Sequence, residues 1–353
     1  ELDWEAPVEH AYREIHNQAN AWQQTLPAVR EQWQQISRWI EVPADAHFLF
    51  IGAGTSYYLA RCAAQTFQEV TGRISTALPA SETYLSPQSN VPRNVPLIAF
   101  VISRSGTTSE ALSAANYLQT NVPGVELIGV TCNTSTQLSG YVQHIVELPF
   151  APEESVVMTQ SFTTMLLALQ AVAALVAGDD RLLDELARLP DLLREHMWEF
   201  QWFGRSLGQN LNLKHFVYLG LGPYSGLAQE ATLKLKEMTQ TPCEAYSPLE
   251  FRHGPISILQ GGVAVVLLEG ERARHHMPLL EDDIREHGAY VAVLAPYEPE
   301  AQVDQALKLP EDLSDLARCV LYMPALQLLA YYRALALGLD PDQPRHLTQV
   351  VVI

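Results

Sequence analysis

The chain repeats itself, and that repetition constrains its fold more than any single motif. The run His47-Phe-Leu-Phe-Ile-Gly-Ala-Gly-Thr-Ser and the run His215-Phe-Val-Tyr-Leu-Gly-Leu-Gly-Pro-Tyr read alike at an offset of 168 residues. The same offset pairs Gly52 with Gly220, Gly54 with Gly222, Leu59 with Leu227, Ala60 with Ala228 and Glu69 with Glu237. Each copy is a short apolar run, a Gly-rich turn and a helical stretch, which together read as a strand–turn–helix unit. Leu97-Ile-Ala-Phe-Val-Ile-Ser then matches Val263-Ala-Val-Val-Leu-Leu-Glu, and a third apolar run follows at 127–131 and at 290–294. Unbroken apolar strands alternating with helices predict an α/β fold with parallel sheets covered on both faces. The expected architecture is two doubly wound, flavodoxin-like units in tandem, over 41–178 and 206–340. Helices are expected to pack across them, one over 1–40 and a connector over 179–205, with a tail at 341–353. The connector carries Leu182, Leu183, Leu186 and Leu189 on one side, the stripe of a packed helix.

Composition narrows the partners. Hydrophobic residues are 48% and charged residues 18% of the chain, and the formal net charge is -18. A surface this acidic repels phosphodiester backbones and anionic lipid. The densest basic stretch, 272–276, is short and lies among acids, so neither nucleic acid nor membrane is expected as a partner. Cys62, Cys132, Cys243 and Cys319 are scattered without paired spacing, which argues against zinc or a disulfide framework and fits a reducing cytosol. Apolar runs such as 165–177 are short for a bilayer and no signal peptide is evident, so a cytoplasmic protein is expected. No His, Asp, Glu or Cys cluster has metal-ligand spacing, and no metal is expected.

A small anionic substrate is compatible with that charge, because neutral donors at a helix N-terminus hold phosphate. Ser103-Arg-Ser-Gly-Thr-Thr-Ser follows a buried strand and precedes a good helix. Ser103, Ser105, Thr107 and Thr108 offer hydroxyl donors, and Gly106 lets the backbone turn tightly. An ordinary N-cap needs one such hydroxyl; five Ser or Thr in seven residues exceed that need. The matching segment of the second half, Glu269-Gly-Glu-Arg-Ala-Arg, is acidic, and its acids would repel phosphate. One phosphate site per chain is therefore expected. Gly52-Ala-Gly-Thr-Ser resembles a dinucleotide fingerprint only superficially, since Tyr57 stands where a third glycine belongs. No nicotinamide or other cofactor is expected, and Thr55 and Ser56 are assigned to the sugar-phosphate pocket.

The second half supplies acid–base groups. Glu230, Lys234 and Glu237 fall at i, i+4 and i+7 on one helix, close together around its axis. Such a set is also what an exposed, salt-bridged helix face looks like. His253 follows in a loop bounded by Gly254 and Pro255, where a histidine is either a surface residue or a functional one. Aldose–ketose interconversion needs these types: a histidine to assist ring opening, and a carboxylate to carry a proton between C1 and C2. Glu237 is the base candidate, with Lys234 holding it ionised or polarising the substrate.

These motifs together resemble the tandem SIS (sugar isomerase) proteins, in particular the isomerase half of glucosamine-6-phosphate synthase and free-standing SIS-type deaminases, isomerases and deglycases. The resemblance runs from Phe48 onward and rests on Gly54-Thr-Ser, the 103–108 loop, Phe162-Thr-Thr, the 230–237 helix, Leu249-Glu-x-x-His-Gly-Pro and Asp342-Gln-Pro-Arg. It implies that Ser56, Ser103, Ser105 and Thr108 hold the phosphate, with Arg104 lining the pocket through its backbone and Val156 touching the sugar. It implies Glu237 as the C1/C2 proton carrier beside Lys234. It also implies His253 as the ring-opening group reaching into a neighbouring subunit of a homodimer. The glutaminase part of the synthase has no counterpart in these residues. Two departures stand out: Gln349 takes the place of a tail lysine that forms a Schiff base in the synthase, and Met158 replaces a small polar residue. An amide forms no imine. The expected function is a phosphosugar isomerase or deaminase acting on an amino-sugar 6-phosphate. A fructosamine-6-phosphate deglycase and a non-catalytic sugar-phosphate sensor are the alternatives.

Overall fold

The computed structural model describes residues 9–350; residues 1–8 of the expected N-terminal segment and 351–353 of the expected tail lie outside it. Helix α1 (His10–Ile36) leads into β1 (His47–Gly52), α2 (Thr55–Thr71), β2 (Ser75–Pro79) and the short α3 (Ala80–Leu85) and α4 (Pro87–Asn90). Then come β3 (Leu97–Ile102), α5 (Ser109–Asn121), β4 (Glu126–Thr131), β5 (His144–Glu147), α6 (Gln160–Ala177) and the long α7 (Asp180–Gln209). The second half runs β6 (His215–Gly220), α8 (Pro223–Thr239), β7 (Cys243–Tyr246), α9 (Pro248–Phe251), β8 (Val263–Leu268), α10 (Met277–Glu286), β9 (Tyr290–Ala295) and β10 (Gln305–Lys308). Helices α11 (Asp315–Arg318) and α12 (Tyr322–Ala336) close it.

Every strand pair is parallel, and both sheets have five strands in the same order, β2-β1-β3-β4-β5 and β7-β6-β8-β9-β10. The edge strands β2, β5, β7 and β10 were not legible as apolar runs. They have four or five residues and bury few of them, as edge strands facing water on one side do. The central strands are buried throughout; Phe50 on β1 stacks on its β3 register partner Phe100 with centroids 5.0 Å apart.

One core cluster runs through both halves. Its inter-unit part is built by α2 against α8, while α1 packs on α6 and α7 on α12. Leu182, Leu183, Leu186 and Leu189 of α7 are all buried, as their stripe predicted. The apolar run at 165–177 proves to be part of α6, whose 18 residues are long and apolar enough to cross a membrane. Most of α6 is instead buried between α1 and α2, so its hydrophobicity is accounted for by the core. The four cysteines are buried free thiols.

The crossover makes β1/β3 and β6/β8 the switch points of the two sheets, where ligand crevices form beyond the carboxyl ends of open α/β sheets. At both points the chain turns sharply from strand into helix. A Cβ on Gly52 would lie 2.3 Å from the Ser56 backbone, and one on Gly220 would lie 2.2 Å from Tyr224 O. Gly54 and Gly222 take φ +54° and +58°. The repeated glycine pair is thus a steric requirement of the turn.

Candidate functional site

The hydroxyl-rich loop leaves β3 at its carboxyl end and enters α5. Gly106 adopts φ +64°, and a Cβ there would sit 2.4 Å from Thr136 Oγ1. The Ser103 Oγ accepts from Gly106 N at 3.1 Å and donates to Thr108 Oγ1 at 3.2 Å. Ser105 Oγ accepts from Thr107 N at 3.2 Å and from Thr107 Oγ1 at 3.0 Å. The Arg104 carbonyl accepts from Cys132 N and Thr131 Oγ1, so β4 holds the loop from behind. Thr108 takes the N-cap position but its side chain makes no cap bond. The loop therefore presents organised hydroxyls at a helix start whose dipole favours an anion.

Arg104 does more than line a pocket with its backbone. Its guanidinium pairs with Glu153 at 3.1 Å and donates to Val156 O at 3.3 Å and to Gln349 O at 2.7 Å. Glu153 is a hub that sequence reasoning missed: its carboxylate also accepts from Thr159 N (2.6 Å), Ser161 N (2.9 Å) and Ser161 Oγ (2.6 Å). Glu153 lies in the loop ahead of α6, away from its N-cap Thr159, so no local pattern marked it. Behind it, buried Glu14 of α1 accepts from Glu154 N at 2.6 Å and Ser155 N at 3.1 Å. Burial and the nearby Glu153 raise the Glu14 pKa. Val156 donates its N–H to Asp342 O at 3.1 Å, and the Asp342 carboxylate caps α1 through His10 N and Ala11 N, both at 2.7 Å. The side-chain amide of Gln349 donates to Glu154 O at 2.9 Å and Ser155 O at 3.3 Å. The 153–156 loop is thereby clamped between the hydroxyl-rich loop, the first helix and the tail, while Met158 packs against the core.

Glu230, Lys234 and Glu237 do not form an exposed helix face. Lys234 Nζ lies 3.3 Å from Glu230 and 2.5 Å from Glu237; the Lys234 and Glu230 side chains are 1% and 0% exposed, and that of Glu237 is 19% exposed. Thr55 Oγ1 accepts from Lys234 Nζ at 3.1 Å and donates to Glu230 Oε1 at 3.2 Å. Thr55 thus serves the charge cluster, joining the first unit's turn to α8, while Ser56 is buried in the first turn of α2. The charge of Glu153 also acts on Lys234, as the weakest of the influences on it.

Burial pushes the Glu230 carboxyl up to about 8, against the pull of Lys234 and with the help of Glu237. Burial works against the Lys234 charge, but the two glutamates outweigh it and its pKa is raised. Glu230 is thus shifted toward its protonated form, and Glu237 makes the shorter contact with the lysine. Between 4.5, the ordinary value, and about 8 the native chain keeps a proton that the unfolded chain releases. The stability Glu230 contributes is present below the lower value and lost as pH rises through the upper one. Glu230→Gln is expected to flatten the decline of the unfolding midpoint across that window, measured by thermal melts at stepped pH.

His253 is exposed, beyond the end of α9, and among the described residues no side-chain hydrogen bond or ion pair joins it to Glu237. The second unit's loop also differs from expectation. The Glu269 side chain is buried, accepting from Tyr297 Oη at 2.9 Å, and Arg272 of the basic stretch pairs with Glu69. What occupies that loop's N–H donors is the carboxylate of Asp315, through Glu271 N at 3.1 Å and Arg272 N at 3.4 Å. The second loop thus holds an internal carboxylate on these N–H groups, while Glu271, one of its own acids, stays exposed.

The model of the SIS domain matches residues 43–175. Glutamine--fructose-6-phosphate aminotransferase [isomerizing] of Sulfurisphaera tokodaii is 28% identical over 350 residues, 97% of this chain and 56% of that protein. The protein of the same name from Pyrobaculum aerophilum is 30% identical over 325 residues, 88% of this chain and 52% of its own length. The chain thus spans little more than half of these curated relatives. Among solved structures, glucosamine-6-phosphate deaminase from Thermotoga maritima has a TM-score of 0.78 at 27% identity, covering 98% of this chain and all of that one. The tagatose-6-phosphate ketose/aldose isomerase of Escherichia coli shares the fold, with a TM-score of 0.88 at 23% identity over 98% of this chain and 96% of that one. The chain thus carries a match to the SIS domain at 43–175 and is similar over nearly all of its length to proteins named as phosphosugar enzymes.

Proposed function

We propose that this chain is an amino-sugar-6-phosphate isomerase with deaminase activity, and that glucosamine 6-phosphate is its substrate class. The observation that carries the reading is the buried Lys234–Glu237 contact of 2.5 Å, tied through Thr55 to the unit bearing the hydroxyl loop. Ser56, Ser103, Ser105 and Thr108 hold the phosphate, and Val156 and the 153–156 loop flank the sugar. In the open-chain aldose, the Glu237 carboxylate takes the C2 proton while O1 gains one from solvent, and an enolamine forms. The same carboxyl returns the proton to C1 and the nitrogen releases one to solvent, leaving an imine at C2. Water adds to that imine, and ammonia leaves as the ketose phosphate forms. Lys234 lies against Glu237 as its cation, and Glu230, shifted toward its protonated form, competes less for it.

Gln349 supports a substrate that brings its own nitrogen. The tail offers an amide already engaged with two backbone carbonyls, so no amine from this position is available for a covalent intermediate. The same feature suits a deglycase acting on fructosamine 6-phosphates. In this reading 41–178 and 206–340 are two SIS domains, with 1–40, 179–205 and 341–353 as helical segment, connector and tail. The protein works in the cytosol as a homodimer, and exposed His253 reaches the partner's site to open the ring. The test is direct: incubation with glucosamine 6-phosphate should release ammonia and fructose 6-phosphate in equal amounts. Release of free amine only from fructosamine 6-phosphates would select the deglycase. Tight binding of hexosamine 6-phosphates without any turnover would overturn catalysis and leave a sensor.

A further inference from the structure

The second unit's switch point, which the proposed reaction does not use, has the makings of a second anion site. We propose that the loop after β8 retains the ability to hold a tetrahedral oxyanion, and that the chain's own Asp315 carboxylate occupies the site in its place. Three donors converge on that carboxylate: Glu271 N at 3.1 Å, Arg272 N at 3.4 Å and Arg318 Nη1 at 2.7 Å. The loop is closely fitted to it, since a Cβ on Gly270 would lie 2.6 Å from Asp315 Oδ2. Arg318 is wholly buried, and Asp315 is the one carboxylate paired with it among the described residues. Its other bonds go to backbone carbonyls, Pro310 O at 2.8 Å among them. Beside the carboxylate lies a cavity of about 90 Å³, lined by Gly222, Tyr224, Gly270 and Asp315 among others, and by Glu69, whose charge is paired with Arg272. It occupies the crevice between the β6 and β8 turns, the counterpart of the crevice between β1 and the hydroxyl loop in the first unit.

A tethered carboxylate competes with free phosphate at a high effective concentration, so the wild-type loop is closed to solution anions. Removing it leaves two backbone donors and a buried guanidinium without their acceptor, a costly state that an incoming oxyanion relieves. The space vacated by the carboxylate adds to the neighbouring cavity. The proposed occupant is inorganic phosphate or a similarly compact oxyanion, which separates this site from the one proposed for catalysis.

The experiment is equilibrium dialysis with radiolabelled inorganic phosphate, on wild type, Asp315→Ala and Asp315→Ser. Each is also made in a Ser105→Ala/Thr108→Val background that disables the first loop. Wild type should bind one phosphate per chain and either Asp315 variant two. In the disabled background the numbers should be none and one, and phosphate should raise the unfolding midpoint only where Asp315 is replaced. Asp315→Ser keeps a short hydroxyl for Glu271 N and serves if the alanine variant does not fold. Folded Asp315 variants that gain no phosphate, in either background, overturn the proposal. Wild type binding none would count against the first-loop reading alone, because the gain on replacing Asp315 is read separately.

Discussion

Glu237→Gln is expected to lower kcat for glucosamine 6-phosphate by about 10²–10⁴-fold, the contribution of a positioned proton carrier. KM should stay near wild type, because the proposed phosphate site is the loop at 103–108 and Glu237 makes none of that loop's hydrogen bonds. Stability should also survive. Glu237 is one of the influences that keep Glu230 protonated, so its neutralisation draws the Glu230 carboxyl down toward ionisation beside Lys234. The lysine then exchanges one counter-charge at 2.5 Å for another at 3.3 Å. A large loss of turnover with an unchanged melting curve would mark a residue acting on the reacting atoms. A variant that keeps more than about a tenth of wild-type kcat would remove Glu237 from the role of C1/C2 proton carrier.

The central strands, the two parallel sheets and the grouping of Glu230, Lys234 and Glu237 were legible because each depends on a local pattern. Continuous apolar runs mark strands buried on both faces, and the helical spacing of Glu230, Lys234 and Glu237 sets them on one side of α8. Whether that side faces water or the core is a tertiary fact. Only the packing of α8 against α2, with Thr55 at the contact, shows the cluster buried. The edge strands escaped detection for the opposite reason, since half-exposed segments of four or five residues carry too few apolar positions. Glu14, Glu153 and Asp342 serve the site across 140, 49 and 332 residues of chain, separations at which no periodicity operates. Asp315 is the sharpest case. The sequence placed acids in the second loop and implied repulsion, whereas the acid that decides the matter comes from 43 and 44 residues further along.

Lys234→Met is expected to be the most destabilising change at the site, by about 3–5 kcal/mol, the usual cost of removing one partner from a buried pair. Methionine fills much of the volume, so the loss is electrostatic rather than a cavity effect. Glu237 would be left with a charge and no cation, and Thr55 Oγ1 would lose the donor at 3.1 Å. Glu230 cannot compensate, because its protonated carboxyl carries no positive charge. The double variant Lys234→Met/Glu237→Gln removes the stranded carboxylate and should recover a substantial part of the loss, a coupling that urea midpoints on the four members of the cycle would report. Turnover, by contrast, should not recover, since the proton carrier is gone from the double variant. If Lys234→Met costs less than about 1 kcal/mol, the cluster behaves as an ordinary solvated ion pair. The buried, charge-balanced site on which the proposed chemistry depends would then be wrong.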